Sequence, residues 1–425
     1  MKVLVVGQGG REHALVWKLA QSPRVSRLYC APGNAGIAEL ATCVPISETD
    51  LDGLVRFAKE EGIDLTVVGP EAPLVAGLVD RFEAEGLRVF GPRKEAAMLE
   101  GSKAFAKEIM SKYGIPTAQY QSFEDYDEAL RYVREHGAPI VLKADGLAAG
   151  KGVTVAQTLE EAEAALERMM KDKVFGEAGK RVVVEEFLQG QELSLMAFVD
   201  GETVLPMVPV QDHKPVFDGD KGPNTGGMGT YSPTPQLPQS VIEESVERIL
   251  KPVAKAMVAE GKPYRGVLYG GLMVTAEGPK VIEFNARFGD PETQVVLPRL
   301  ETDLLDVLEA VVEGRLADIQ LQWKREAAVC VILASEGYPG SYPKGRVIEG
   351  LFDPEEQRKR QVYLFHSGTA RKDGQWLTNG GRVLGVTALG EDLAAAREKA
   401  YRAIEEIRFE GMHYRKDIGL RGLSV

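Results

Sequence analysis

Cysteine is scarce in this sequence, and none of the three present, Cys30, Cys43 and Cys330, belongs to a C-x-x-C pattern. Such a small, odd-numbered set excludes a disulfide framework and gives no indication of a structural zinc site. The five histidines are scattered as well, so a bound metal would rely mainly on oxygen ligands, which favour Mg²⁺ or Mn²⁺. This thiol content fits a reducing compartment, and we expect a cytoplasmic protein.

Long hydrophobic runs and an excess of positive charge are also missing. The longest apolar stretches have the length of single strands, and the N-terminus enters a strand-like VLVV without a charged leader. We therefore expect neither a membrane span nor a secretion signal. A formal net charge of -12 gives no general attraction to nucleic acid or to an anionic membrane. The expected partners are small molecules, and the expected state is a monomer or at most a weak dimer.

What the sequence does contain is an alternation of strand and helix patterns over 425 residues, enough for several domains of mixed α/β and α+β class. Residues 1–101 repeat a strand–helix pattern typical of a parallel sheet. Residues 102–325 combine a small α+β unit over 117–188 with two antiparallel hairpins. The hairpins flank the Gly- and Pro-rich segment 211–235, which we expect to be a long irregular loop with a function. Residues 326–425 are rich in strands and predict a separate α+β domain.

The opening stretch VLVVGQGGREHA has part of a dinucleotide-binding turn, but Glu12 stands where the third glycine should be. The next strand ends in Cys-Ala-Pro and not in the acid that binds an adenine ribose, which argues against NAD. A glycine turn at a helix N-terminus still favours an anion. We predict that Gly9, Gly10 and Arg11 hold a single phosphate. A turn needed only for tight strand–helix packing is the alternative.

A second candidate for phosphate binding is IVLKADGLAAGKGVTV, where Lys143 ends an apolar strand and a glycine loop leads into another strand. It is not a Walker loop, because Lys151 is followed by Gly152 and not by Ser or Thr. A glycine loop between two strands suits a lid over phosphates. We predict that Lys143, Gly150, Lys151 and Gly152 bind a nucleotide, with a solvated lysine beside a mobile loop as the alternative.

The stretch VVVEEFLQGQE follows the lid candidate. We interpret Glu185, Glu186 and Leu188 as a free backbone edge that pairs with adenine. Glu192 is the predicted acceptor for the ribose hydroxyls. An acidic turn without a ligand is the competing interpretation.

The most specific stretch is VIEFNARFGDPETQ, in which strand alternation predicts two faces. The polar face carries Glu283, Asn285 and Arg287, and the core face carries Ile282, Phe284 and Phe288. Two oxygen ligands two residues apart suit a hard cation, so Glu283 and Asn285 are the predicted metal ligands. The guanidinium of Arg287 could hold a phosphate oxygen. A solvent-facing polar strip is the alternative.

Together, the glycine-loop strand pair, EEFLxGxE and EFNxRFGDPETQ resemble the ATP-grasp superfamily. The chain is more closely similar to the phosphoribosylamine–glycine ligase family through GQGGREHA, GPEAPLVAG, KADGLAAGKGV and QDHKPVFDGDKGPNTGGMG. The resemblance covers essentially the full length. It implies a parallel-sheet pre-ATP-grasp domain, a two-lobed ATP-grasp core and a C-terminal domain. It also implies ATP-dependent ligation of glycine to 5-phosphoribosylamine through glycyl phosphate, the second step of purine synthesis.

The resemblance also implies roles for individual residues. Lys103 joins Lys143 in neutralising the phosphates of ATP. The predicted substrate-binding residues, besides the glycine turn, are Asn34, Glu71, Asp290 and Thr293. The predicted catalytic residues are Arg287, Lys214 and Asp212, the first two as cations for a developing oxyanion; His213 is expected to be a hydrogen-bonding spacer more than a base. The alternatives are another ATP-grasp carboxylate–amine ligase, a nicotinamide-dependent oxidoreductase and a non-catalytic ATP sensor.

Overall fold

The computed structural model of the chain describes residues 1–148 and 152–424. Within these residues the strands form six sheets, and helices pack on the larger ones. The mixed α/β and α+β class predicted from the sequence is confirmed. No helix in the described part of the chain has the length and apolar character needed to cross a membrane.

The first sheet is parallel and is built by the N-terminal strands, in the order β3-β2-β1-β4-β5. The strands are β1 (Lys2–Gly7), β2 (Arg27–Pro32), β3 (Thr42–Cys43), β4 (Leu65–Val68) and β5 (Val89–Phe90), and the helices are α1 (Gly10–Leu19), α2 (Leu51–Glu61), α3 (Glu71–Ala76), α4 (Leu78–Ala84) and α5 (Lys94–Gly101). The strand order reverses between β1 and β4, and ligands of such sheets bind at the carboxyl ends beside that reversal. Gly9 and Glu71 follow these two strands.

The second sheet is antiparallel, has the order β6-β9-β7-β8, and forms a lid. It comprises β6 (Tyr120–Phe123), β7 (Ile140–Ala144), β8 (Val153–Ala156) and β9 (Val182–Glu186), with α7 (Tyr126–His136) and α8 (Leu159–Met170) packed on it. Phe123, Leu142, Leu166 and Val184 belong to a core that the lid does not share with the other sheets. Helix α6 (Lys103–Lys112) precedes the lid, and the Ser102 hydroxyl accepts a hydrogen bond from the Phe105 N–H as its N-cap.

The third sheet contains the two predicted hairpins, in the order β11-β10-β16-β17. Its strands are β10 (Gln191–Asp200), β11 (Thr203–Pro206), β16 (Arg265–Thr275) and β17 (Gly278–Asn285). Helices α9 (Gln239–Ser245) and α10 (Lys251–Ala259), joined by a π-helical turn, lie between the hairpins, and α11 (Thr293–Arg299) and α12 (Leu304–Val312) follow them.

The segment 211–235 is not the irregular loop that the sequence predicts. It contains β12 (Gln211–Asp212), β13 (Pro215–Phe217), β14 (Lys221–Asn224) and β15 (Gly229–Ser232). Strands β13 and β14 form a hairpin of their own, whereas β12 and β15 join the C-terminal sheet. The sequence pattern did not reveal these strands, because each is only two to four residues long and rich in glycine, proline or polar residues, and β15 pairs with the distant strand β18.

The C-terminal sheet has the order β12-β15-β18-β23-β20, and a small sheet β19-β22-β21 lies beside it. The new strands are β18 (Ala327–Ala334), β19 (Val347–Ile348), β20 (Val362–His366), β21 (Thr369–Lys372), β22 (Gln375–Thr378) and β23 (Arg382–Gly390), and the helices are α13 (Pro354–Arg360), α14 (Leu393–Glu405) and α15 (Leu420–Leu423). The helix predicted over 392–406 is therefore confirmed as α14, with Asp392 as its N-cap.

One buried core joins the N-terminal sheet, the central helices and the C-terminal sheet. It includes Val5 of β1, Phe288, Leu308 of α12, Cys330 of β18 and Phe365 of β20. A close-packed core is hardly compressible, so a shift of one element is passed on to the elements packed against it. The core therefore fixes the carboxyl end of β1, the loop after β17 and the turn after β20 relative to one another.

Candidate active site

A central cavity of about 330 Å³ lies between the lid and the third sheet, within the size range of small-molecule sites. It brings together most of the residues predicted from the sequence. Those that line it are Glu71, Lys103, Lys143, Gly152, Glu185, Glu186, Leu188, Glu192, Lys214, Glu283, Asn285, Arg287 and Asp290. Gly150 and Lys151 lie outside the described residues.

On the lid side, two lysines bind one buried carboxylate. Glu185 Oε2 lies 2.6 Å from Lys143 Nζ, and Glu185 Oε1 lies 2.7 Å from Lys107 Nζ. Lys143 also donates to the Ile282 carbonyl at 2.8 Å, and Lys107 to the Thr117 hydroxyl at 2.7 Å. Burial raises the pKa of Glu185, but the two ammonium groups together lower it by more than burial raises it. The pKa of Glu185 therefore lies below its usual value. The cluster carries a net positive charge that faces the cavity.

Lys107 is a member of this cluster that the sequence analysis missed. Burial lowers its pKa to about 8, with the neighbouring charge of Lys143 adding to the effect and Glu185 opposing it. A signal existed, because Lys103 and Lys107 lie one turn apart on the same face of α6. Lys103 itself donates to the Gly146 carbonyl at 3.3 Å, and its pKa is lowered mainly by burial.

The predicted free backbone edge at Glu185 is wrong. Strand β9 lies inside the lid sheet, where Glu185 is in register with Tyr120 on one side and Val141 on the other. The Glu186 N–H donates to the Gln119 carbonyl at 2.9 Å. The chain leaves the sheet only after Glu186, so the stretch that faces the cavity beyond the strand is that around Leu188.

The predicted metal ligands lie at the end of β17, opposite the lid. Glu283 and Asn285 both line the cavity, and the Asn285 amide nitrogen donates to the Phe284 carbonyl at 3.0 Å. The amide oxygen is thus the atom left for a cation. No group of three or more His, Cys, Asp or Glu side chains suited to a metal occurs among residues 1–148 and 152–424. Two oxygen donors in a cavity that suits a nucleotide match Mg²⁺, which usually takes few protein ligands and completes its shell with phosphates and water.

The predicted alternation along β17 fails at Ile282. The pairing with β16 slips there, because Gly271 pairs with Glu283 while Leu272 pairs with Val281. Ile282 is the extra residue of this bulge, and it lines the cavity instead of the core. Bulges re-aim neighbouring side chains and are frequent beside active sites.

Arg287 is half-buried at the wall of the cavity, between two carboxylates. Its guanidinium lies 3.2 Å from Glu71 and 3.3 Å from Glu100. Burial raises the pKa of Glu100 to about 7, although Arg287 opposes this shift. Burial raises the pKa of Glu71 as well, but Arg287 and Arg11 together lower it by more than burial raises it. The pKa of Glu71 therefore lies below its usual value. Glu100 also accepts the Ala286 N–H at 2.8 Å and holds the loop that carries Arg287. No motif around Glu100 marks it as a site residue.

A second charged group surrounds Lys214; Lys214, Tyr269 and Glu292 line the cavity, whereas Asp212 lies behind Lys214 and is not part of the lining. Asp212 lies 3.6 Å from Lys214, and the Tyr269 hydroxyl donates to Glu292 at 2.9 Å. Burial and the charge of Glu292 raise the pKa of Asp212 to about 8. Burial lowers the pKa of Lys214, but Tyr269, Asp212 and other acidic groups raise it well above its usual value.

Two more residues lie near Lys214. One is His213, which has a structural contact, and the other is Glu292, which the sequence analysis missed. His213 is buried, its Nδ1 lies 2.9 Å from the Gly229 carbonyl, and burial lowers its pKa to about 4. A neutral histidine held in this way agrees with the predicted spacer. Glu292 was missed although it lies within the DPETQ motif, and it lines the cavity.

A second cavity of about 400 Å³ lies where the N-terminal and C-terminal sheets meet. Of the predicted residues it contains Gly9, Asn34 and Asp290; its other lining residues are Gln8, Gly33, Tyr338, Ser367, Gly368, Thr369, Asn379, Gly380 and Arg382. The C-terminal residues were missed, because nothing local in their sequence marks them. Asp290 lines both cavities and therefore forms their shared wall.

The glycine turn after β1 accommodates a carboxylate of the protein itself. Glu12 accepts the Gly9 N–H at 2.8 Å and pairs with the Arg11 guanidinium. A Cβ at Gly7 or Gly69 would collide with the Glu12 side chain, so these glycines make room for it. Glu12, at the position of the missing third glycine, therefore has a structural role: it binds the turn and packs against Gly7 and Gly69.

The structure does not bring three of the predicted substrate-binding residues into either cavity. The Arg11 side chain turns to Glu12 and to the Phe288 carbonyl, at 3.1 Å. Gly10 lies against the side chains of Gln294 and Ser367. Thr293 is fully buried, and its hydroxyl donates to the Gly289 carbonyl at 2.6 Å.

A lid and a sheet that enclose lysines on one side and carboxylate and amide oxygens on the other define an ATP-grasp protein. The fold is shared with a biotin carboxylase of Campylobacter jejuni in complex with β,γ-ATP, at a TM-score of 0.75 and 17% identity, covering 99% of this chain and 94% of that chain. Three models of phosphoribosylglycinamide synthetase match, namely the N domain at residues 1–100, the ATP-grasp (A) domain at 101–293 and the C domain at 328–421. The chain belongs to the phosphoribosylglycinamide synthetase family.

Full-length relatives agree with this assignment. The chain is 56% identical to a phosphoribosylamine–glycine ligase of Halalkalibacterium halodurans, over 100% of this chain and 98% of the relative. It is 37% identical to the crystal structure of a phosphoribosylamine–glycine ligase from Thermotoga maritima, with a TM-score of 0.85 over 98% of this chain and 100% of that chain. The match thus extends over all the sheets that form the two cavities.

Proposed function

We propose that this chain is an ATP-dependent ligase that joins glycine to 5-phosphoribosylamine, giving glycinamide ribonucleotide, ADP and phosphate in purine synthesis. The observation that carries the proposal is the full-length identity of 56% to a relative of that name. The two adjoining cavities support it, because one suits a nucleotide and the other adjoins it through Asp290. ATP use follows from the ATP-grasp domain.

ATP would lie in the central cavity. A carboxylate is a poor acyl donor, so a glycine oxygen first attacks the γ-phosphorus and forms glycyl phosphate. Phosphoryl transfer depends mainly on positioning and charge neutralisation. Lys103 and Lys143 would supply positive charge, and Gly150, Lys151 and Gly152 would bind the phosphates. The chain around Leu188 would contact the adenine, with Glu192 at the ribose.

Glu283 and Asn285 would hold Mg²⁺, with Mn²⁺ as the alternative. Their oxygen donors fit such an ion, and the charge of Glu283 partly offsets the burial that lowers the pKa of Lys103. The ion would supply Lewis-acid polarisation of the phosphate oxygens. Glu283 and Asn285 line the same cavity as Lys103 and Lys143, so an ion held by them would add to the positive charge available to the phosphates.

Arg287 and Lys214 are the proposed cations for the oxyanion that develops when the amine attacks the acyl carbon. Arg287 is held between Glu71 and the buried Glu100, and Lys214 lies 3.6 Å from the buried Asp212. Such preorganised charges need no rearrangement during the reaction. Asp212 would act as a positioning residue for Lys214.

5-Phosphoribosylamine would lie in the second cavity, against Gly9, Asn34 and Asp290. The Gly9 and Arg11 N–H groups are already bound by Glu12 and Asp290, so a phosphate would find its donors on the opposite wall. Ser367, Asn379 and Arg382 are placed for this on the C-terminal side. We thus move the phosphate away from the turn predicted from the sequence, where Gly10, Arg11 and Thr293 would support the shape of the cavity.

The remaining predictions stay proposals. The three domains would span 1–101, 102–325 and 326–425, with the lid at 117–188. The protein would act in the cytoplasm as a monomer or a weak dimer. Another ATP-grasp carboxylate–amine ligase is the alternative function, because the same fold serves several substrates.

The test follows ADP release with glycine, 5-phosphoribosylamine and ATP, and then replaces glycine by alanine and by β-alanine. Glycine labelled with ¹⁸O in its carboxylate should transfer one label to the inorganic phosphate, since the acyl C–O bond breaks when the amine attacks. Unlabelled phosphate would exclude the acyl phosphate. Faster turnover with another acid would favour the alternative ligase.

A further inference from the structure

The hairpin β13–β14 carries residues of the central cavity at both of its ends. Lys214 precedes β13, and Asn224, Thr225 and Gly226 end or follow β14; all four line the cavity. Thr225 ties the two ends together, because its N–H and its hydroxyl both donate to the Lys214 carbonyl, at 2.8 and 2.7 Å. The position of Lys214 is therefore coupled to the position of the whole hairpin.

The hairpin has little core of its own. Phe217 and residues 221–224 are exposed, whereas Val216 is buried. Few buried contacts make a segment easy to open locally. Something else must hold it in place.

The segment 413–421, which we name the C-terminal brace, binds the hairpin along its length. His413 Nε2 lies 2.7 Å from the Val216 carbonyl. The Lys416 N–H donates to Asp218 at 2.7 Å, and the Gly219 N–H donates to Asp417 at 3.0 Å. Arg421 binds Asp220 at 2.5 Å. These contacts join residues about 200 positions apart in the sequence.

Arg415 is the centre of the C-terminal brace. Only 1% of its side chain is exposed. It binds both oxygens of Asp417, at 2.8 and 2.7 Å, and Asp220 at 3.0 Å. Its fourth hydrogen bond goes to the Pro215 carbonyl, at 3.1 Å, directly beside Lys214. A planar guanidinium satisfies such a set of fixed acceptors, which a lysine cannot do.

We propose that Arg415 is a positioning residue for the ligase reaction, because it fixes through the hairpin where the Lys214 ammonium stands in the cavity. This inference rests on the proposed function. Misplacement of a reacting group by about 1 Å costs about 10²-fold in rate. Loss of Arg415 releases the Pro215 carbonyl and leaves Asp417 and Asp220 without their shared cation.

The experiment compares steady-state kinetics of Arg415→Met, Arg415→Lys, Lys214→Met and the Arg415→Met/Lys214→Met double variant. We expect Arg415→Met to lower kcat/KM for glycine by about 10- to 100-fold, with the KM for ATP within about threefold, and Arg415→Lys to recover only part of the loss. If Arg415 acts through Lys214, then Arg415→Met should lower kcat/KM for glycine only slightly in a protein that already carries Lys214→Met. A double variant whose losses multiply would overturn the proposal.

A matched control is Arg299→Met, which removes another buried arginine that donates to backbone carbonyls, but away from the hairpin. We expect it to lower the melting temperature without the selective loss toward glycine. Asp220→Asn tests the same contacts should Arg415→Met not fold, since Asp220 is 42% exposed. The loss of kcat/KM for glycine caused by Asp220→Asn should also vanish when Lys214→Met is present. If the losses of the two substitutions multiply instead, the result would again count against the proposal.

Hydrogen exchange separates this proposal from the proposed function. In either Arg415 variant, or in Asp220→Asn, the amides of Gly219 and Thr225 should exchange faster than in the wild type, whatever the reaction is. Unchanged exchange at both would overturn the role of the C-terminal brace. An inactive wild type with faster exchange in the variants would instead contradict only the proposed function.

Discussion

Replacing Lys107 by methionine removes a cation that the sequence did not reveal. Methionine keeps much of the volume of the lysine stem, so the change is chiefly one of charge and hydrogen bonding. Glu185 keeps Lys143 as its partner at 2.6 Å, but the cluster loses its net positive charge. We expect weaker ATP binding, because the phosphates meet one less cation.

The size of the effect can be worked from the cavity. A sphere of about 330 Å³ is about 8 to 9 Å across. A unit charge at about 8 Å, in a medium of effective dielectric constant about 20, contributes about 2 kcal/mol. That corresponds to about a 30-fold rise in the Kd for ATP. The lost hydrogen bonds to Glu185 and Thr117 should also lower stability by about 3 kcal/mol.

The measurement is ATP binding by calorimetry at pH 7, where a lysine of pKa about 8 is mostly charged. The control is Lys112→Met, which removes a lysine from the same helix that pairs with Glu260 at 2.8 Å on the surface. Exposed pairs of this kind contribute about 0 to 1 kcal/mol, and the control should bind ATP as the wild type does. An affinity of Lys107→Met within twofold of the wild type would refute the electrostatic reasoning.

Two further predictions concern the cation and pH. Glu283→Ala should lower ADP release by about 10²-fold or more without changing the melting temperature, and an unchanged dependence on Mg²⁺ concentration would contradict the metal assignment. Asp212 has a folded pKa of about 8 against an ordinary 3.8, so the folded chain binds the extra proton and stability falls as pH rises from about 4 to about 8. Asp212→Asn should remove this loss. The difference in melting temperature between the variant and the wild type should therefore be about 2 to 4 °C more favourable to the variant at pH 9 than at pH 5. An equal difference at both pH values would contradict the shifted pKa.

Elements with local end signals were predictable from the sequence. Helix α2 begins at the Asp50 cap and ends at Gly62, and α6 begins at the Ser102 cap, because a capping side chain and a left-handed glycine act within a few residues. The two long hairpins of the third sheet also follow from alternation and short turns.

Features set by distant partners were not predictable. The bulge at Ile282 depends on how β16 meets β17, and strands β12 and β15 depend on a sheet formed mainly after residue 326. Glu100 and Arg382 contribute to the two cavities from segments with no motif around them. Most predicted residues of the central cavity do lie together, but their roles in binding and catalysis stay predictions.

The shared wall at Asp290 has a consequence for the growing polypeptide. The second cavity needs Gly9, which is made early, Asp290 from the middle of the chain and Arg382 from near its end. Once 350 residues have been synthesised, the chain contains every described lining residue of the central cavity, but it still lacks the part of the second cavity that lies between Ser367 and Arg382. With the amine substrate in the second cavity, as proposed, we expect ligase activity only after the last strands have packed against the first.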